Sequence, residues 1–308
     1  MNAVLATARR GHPGLYGTAL VMAALAVVLA AAALVDDRVL LGAPIWLKPL
    51  KFAVSFALYA GTLAWMLGQL RERAMQRTGW LLVVASAVEI AIITGQAARG
   101  RASHFNTETA QDGLLFTIMG LTIVVLWFAT LAVALRFLRE GARRGAARGP
   151  EHRPSPSATS AIRLGLAVAL LGMLVGFLMV GQNAHAVGVP DGGPGLPLVG
   201  WSTTGGDLRV AHFLGMHALQ ALPLLAAALA AVTALAETAR TAIVRAAAAG
   251  FVGLVALLTW QALRGQPLLE PDALTLAGLA VVLLGTAAAV LAAVRADRSA
   301  LVSVAEDS

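Results

Sequence analysis

Four histidines, one deep glutamate and a small set of cations are the side chains of this chain best suited to chemistry. The histidines are His104, His185, His212 and His217. Neutral imidazole is the commonest nitrogen ligand for metals, and it also serves as an axial ligand to haem. Glu89 lies well inside an apolar run. A carboxylate at that depth is expensive and marks a proton, ion or ligand path, or else a packing contact. His212 and His217 are five residues apart, so on a helix they sit about 140° apart and ~7.5 Å apart in height. That spacing does not let them share one ion side by side. It lets them face two neighbours or span a site vertically. Gly215 between them admits a close approach by a helix or a planar ligand.

These types imply a metal or haem centre, with His104, His185, His212 and His217 as ligands and Glu89 as ligand or general base. In the haem version, a haem b would use His185 and His212 as axial ligands, with Arg209 and Lys51 on its propionates. Gln96 and Arg99, at the end of the same apolar run as Glu89, join the expected cofactor or anion pocket. Arg38, Lys48, Arg101 and Arg264 complete the cations of that face. Eight carboxylates stand near them, so local ion pairing competes with an anion recess for a small molecule or lipid head group. The chain has no cysteine. Thiolate metal sites, disulfides and cysteine nucleophiles are therefore excluded. Two further readings stay open: a proton-coupled transporter of a small anion, working through Glu89, and a non-catalytic scaffold or assembly factor. No reading of the residues decides whether the protein is an enzyme.

The elements that must position these groups are membrane spans. Of 308 residues, 58% are hydrophobic and 13% charged. A soluble chain needs about twice that charged fraction to dress its core. Eight apolar stretches fall near residues 15–35, 50–69, 79–97, 114–136, 162–182, 209–235, 243–263 and 273–294. Each is long enough to cross ~30 Å of hydrocarbon as a helix. The expected fold is all-α, a polytopic membrane protein of eight transmembrane helices. Of the 23 cations, sixteen fall on one side of that topology and seven on the other. The positive-inside tendency then places both termini in the cytoplasm of a bacterial-type inner membrane. The active face becomes the extracytoplasmic one, where the four histidines gather. The pI near 11.1 is explained by these topology signals, so no nucleic-acid partner is implied. The expected partner is the lipid bilayer. The chain says nothing of oligomeric state.

The chain also repeats. Thr94-Gly-Gln-Ala-Ala-Arg-Gly100 reads against Thr259-Trp-Gln-Ala-Leu-Arg-Gly265 with five of seven positions identical. Leu47–Ala60 aligns with Leu208–Ala221 in nearly the same register, with Lys48 opposite Arg209. The expected plan is a tandem four-plus-four duplication with a pseudo-twofold along the membrane normal. Residues 1–140 form the first half, 141–160 a cytoplasmic Arg/Pro/Gly linker, and 161–308 the second half. The plan is similar to that of the haem A synthase family, although the glutamate-x-x-histidine signature of that family is not in this chain. The Gly- and Pro-rich loop over 187–207 is expected to cover the outer face as a lid. A reporter fused after Gly149 is expected to read out in the cytoplasm, and one at Gly193 outside. The reverse pattern would invert the topology.

Overall fold

The computed structural model describes residues 2–70, 73–143, 154–232 and 234–306. Residues 144–153 of the expected linker, His152 among them, lie outside the described residues. Among the described residues there are nine helices: α1 (Asn2–Gly11), α2 (Pro13–Val35), α3 (Leu47–Leu70), α4 (Arg73–Ala98), α5 (Ala110–Arg143), α6 (Pro156–Gln182), α7 (Leu208–Ala231), α8 (Glu237–Leu263) and α9 (Ala273–Glu306). Four two-residue strands accompany them, β1 (Val39–Leu40), β2 (Ala43–Pro44), β3 (Ala186–Val187) and β4 (Gly206–Asp207). All but α1 are long and apolar enough to cross a membrane. The eight expected spans therefore match α2 to α9. The short helix α1 precedes them.

Local chemistry sets the helix ends. α2 starts at Pro13, whose missing N–H is harmless there. His12 caps it, its Nδ1 accepting from the Leu15 amide at 3.0 Å. Asp207 caps α7 by accepting from the Arg209 amide at 3.0 Å. Thr109 caps α5, accepting from the Asp112 amide at 3.1 Å while its hydroxyl donates to Asp112 Oδ2 at 2.7 Å. The first bond satisfies one backbone donor that a helix start leaves bare, and the second fixes the hydroxyl that accepts it. Pro223 sits inside α7, and the helix runs through it.

The chain forms two compact units, one of residues 1–133 with 179–205, the other of residues 134–178 with 206–308. In the first, α2, α3 and α4 pack together, and β1 pairs antiparallel with β2 between α2 and α3. Leu15, Leu63, Met66, Leu67 and Leu82 are fully buried there. In the second, Ala161, Leu222, Ala226, Val244 and Ala248 form the core. Outward faces are apolar: Val27, Val28 and Leu34 of α2 and Val281 and Leu284 of α9 are all exposed. Water would penalise such surfaces, whereas hydrocarbon accepts them.

In the second unit α6 and α7 cross with backbone against backbone. A Cβ added at Gly172 would lie 2.6 Å from the Met216 amide nitrogen and 2.7 Å from Gly215 Cα. Small residues at crossings let membrane helices gain van der Waals contact that larger side chains prevent. Gly215 thus admits a helix, one of the two neighbours its sequence position allowed. Gly215→Val is expected to lower stability by about 1–3 kcal/mol or more, as overpacking does. Gly285→Ala, which meets open space, is expected to change little. Thermal unfolding of the two purified variants in detergent checks the contrast.

Candidate functional site

Glu89 is the deepest charged residue of the first unit. It lies on α4, is 0% exposed, and shares its buried face with Leu82, Ser86, Ile93 and Gln96. These positions follow a three-four spacing, so they form one stripe of the helix. The Thr122 hydroxyl of α5 donates to Glu89 Oε1, and also faces the Met119 carbonyl at 2.9 Å. Among the described residues, Glu89 Oε2 has no hydrogen-bond partner, and neither has Ser86 Oγ one turn away. Lys48 of α3 is the cation whose charge reaches Glu89. Farther along α5, Tyr59 of α3 meets Thr130 through their hydroxyls at 2.5 Å.

The end of α4 near Ala98 is closed by a polar belt. The Gln96 amide donates to the Ala102 carbonyl at 3.3 Å and to Asp112 Oδ1 at 2.8 Å. Arg99 Nη1 donates to Gln96 Oε1 and stands 3.5 Å from Asp112. Arg101 reaches Asp112 at 3.1 Å and Glu108 at 3.0 Å. Gly100 turns the chain at φ +72°, a conformation that favours glycine. The end of α8 in the second unit has the same construction. Gly265 turns at φ +72°, the Gln261 amide donates to the Pro267 carbonyl at 2.8 Å, and Arg264 Nη2 meets Asp272 at 2.6 Å. The repeated Gln and Arg of the sequence thus do the same work twice.

Each expected cofactor cation has a carboxylate or carbonyl close by. Arg99 has Asp112, Arg209 has Asp207 at 2.6 Å, and Lys51 Nζ donates to the Val199 carbonyl at 3.0 Å. That last contact ties loop 187–205 to α3. Arg38 pairs with Asp36 at 2.7 Å, and the Trp46 indole also donates to Asp36 at 2.7 Å. Local pairing, the competing reading of these cations, describes the belt well.

The histidines are also engaged locally. In the first unit, His104 packs among Phe52, Phe105 and Phe116, with Nδ1 3.1 Å from Ser103 Oγ. His185 Nδ1 lies 3.1 Å from Asp191, which also accepts from the His185 and Ala186 amides. In the second, His212 Nδ1 donates to the Gly172 carbonyl of α6 at 2.8 Å. His217 Nδ1 lies 3.4 Å from Gln220 Oε1 on its own helix. Among the described residues, no group of three or more His, Asp or Glu side chains is placed to hold a metal ion. His12 is fully buried; its Nε2 donates to the Gln76 carbonyl at 3.0 Å.

Sequence reasoning singled out Glu89 but passed over Ser86, Thr122, Tyr59 and Thr130. Ser86 was legible as a polar residue three positions before Glu89 on the same face. The α5 partners carry no such local signal. The chain matches no protein-family model, no curated protein and no solved structure.

Hydrogen bonds from Arg264, then from Thr275, hold the Asp272 carboxyl below the usual carboxylate range. Arg38 and then Trp46 do the same for Asp36. A carboxyl depressed in the folded state adds stability above its unfolded value of about 4, and that stability drains as pH falls below it. Thermal midpoints are therefore expected to drop modestly as pH is lowered from about 5 to 3. The double variant Asp36→Asn, Asp272→Asn is expected to show a shallower drop over the same range.

Proposed function

We propose that this chain is a proton-coupled transporter of a small anionic substrate, with Glu89 as the group that binds and releases the proton. One observation carries the reading: a fully buried carboxylate in an apolar span keeps one oxygen without a partner. A carboxylate that served packing alone would have both oxygens bonded, because unpaired polar atoms in hydrocarbon are costly. Polar groups are also found beyond Glu89. Ser86 and the Tyr59–Thr130 pair lie toward the α3–α4 end of the first unit.

The same proposal includes the finer topology. The eight helices form a four-plus-four tandem repeat with both termini in the cytoplasm of a bacterial-type inner membrane, and the belt faces outward. The matching ends of α4 and α8 support the repeat, and the cation count supports the orientation. In that register Leu254 stands opposite Glu89, so the first half carries the proton site and the second serves as scaffold or substrate wall.

A second reading, a haem- or metal-dependent membrane enzyme or redox protein, is favoured by His212. Its Nδ1–H is held by the Gly172 carbonyl, which leaves Nε2 of the neutral ring with the lone pair a metal or haem b would take. The visible spectrum of the purified protein separates the two readings. A Soret band lost in His212→Ala, or stoichiometric transition metal, favours the second. For the first, infrared titration in detergent is expected to show a carboxylic-acid C=O band that comes and goes with pH and is missing from Glu89→Gln. A titration identical in the two proteins would exclude Glu89 as the proton site.

A further inference from the structure

We infer that the elbow where α1 meets α2, together with the start of α4, is a docking surface for the head group of an anionic phospholipid, with Arg10 and Arg77 as its cations. The inference stands apart from the proton reading of Glu89. It begins with an imbalance of charge. The chain has no Asp or Glu before Asp36, and between Arg38 and Glu89 it has only Glu72. The same stretches carry Arg9, Arg10, Arg71, Arg73 and Arg77. Arg9, Arg10 and Arg77 are exposed. Among the described residues none of these three is ion-paired, whereas Arg38, Arg99, Arg101, Arg209 and Arg264 all are. Arg10 Nε donates to the Ala6 carbonyl at 3.2 Å, a bond that leaves its charge uncompensated.

Local bonds bring these cations to one place. The Gln76 amide donates to the Gly11 carbonyl at 2.7 Å, and His12 Nε2 donates to the Gln76 carbonyl at 3.0 Å. Arg10 and Arg77 flank the two residues joined in this way. Gly79 leaves room for the His12 ring against α4, and Gly11 abuts Ala64 and Gly68 of α3. One face of α1 is thus spent on α3, with Ala8 buried. Arg9 and Arg10 stay outside it.

The surroundings select a lipid rather than a soluble anion. Arg77, Trp80, Leu81 and Val84 follow the three-four-seven spacing of one helix face, and all four are exposed. Over about 10 Å of α4 this stripe runs from cation to indole to aliphatic side chains. A phospholipid presents its partners in the same order, as phosphate, glycerol and acyl chain. The Trp80 ring meets His12 edge-on, with centroids 5.5 Å apart, and is still 52% exposed. An indole so placed is an interfacial anchor. α1 adds exposed Val4 and Leu5, with Leu5 one turn from Arg9. A short helix that shows both apolar and basic residues lies well at a bilayer surface. A soluble anion could use the arginines but would leave the apolar stripe uncovered. Each arginine beside an anionic surface strengthens binding about fivefold, through charge that salt screens.

Brominated acyl chains, which quench tryptophan on contact, supply the test. The whole protein is reconstituted in vesicles that mix phosphatidylglycerol with phosphatidylcholine, with bromine on one lipid or the other. The share of Trp80 is the difference from Trp80→Phe. The expected result is a preference of about tenfold for phosphatidylglycerol at Trp80, weakened by high salt. Arg10→Gln with Arg77→Gln is expected to bring it close to parity, and Arg10→Lys with Arg77→Lys to retain it. Equal quenching by the two lipids overturns the inference. So does a preference that survives the glutamine pair, or one lost equally from the lysine pair. A preference abolished by millimolar inorganic phosphate marks a soluble-anion site and overturns it as well.

Discussion

Hydrocarbon offers a polar group no water to fall back on, so every donor and acceptor along a span must find its partner within the chain. The helices answer this for the backbone. For side chains, the answer in both units is to gather polar groups at helix ends and pair them there. Arg99 and Arg101 converge on Asp112, Arg209 on Asp207, and Arg264 on Asp272. An exposed pair of this kind contributes little stability by itself. Its larger effect is to neutralise cations at the edge of the apolar zone and to tie one helix end to the start of the next.

Against that background Glu89 stands out. It is ten residues short of the belt arginine Arg99, and only one of its oxygens is bonded by another side chain. Selection for packing alone has a cheaper solution at such a position, namely leucine, which the second half carries at Leu254 in the proposed register. In the proton reading proposed above, the carboxyl is kept there despite the desolvation penalty because the reaction needs it.

The belt and the spans were legible in the sequence. Gln96 and Gln261, Arg99 and Arg264, Gly100 and Gly265 recur with one spacing, and the Gln and Arg partners lie within 16 residues in the loop and helix start that follow. Glu89 was legible as a polar exception inside an apolar run. The histidines were legible as a group sharing one side of the topology, but not in what they touch. His212 is bound to a carbonyl forty residues earlier, and His12 to one sixty-four residues later. Imidazole can ligate, cap or donate with equal ease, and its identity does not say which.

Composition and periodicity alone determined that the chain is built of membrane-length helices, roughly which stretches form them, and which of their positions are chemically out of place. Those properties depend on residues within a turn or two of each other and on the solvent that their apolarity demands. Tertiary structure alone decided the partners: Thr122 against Glu89 across thirty-three residues, Thr130 against Tyr59 across seventy-one, and the backbone crossing of Gly172 on Gly215. A hydrogen bond or a helix crossing between distant segments depends on how the helices rotate and tilt against one another. That is set by the summed packing of many apolar side chains, none of which specifies it singly.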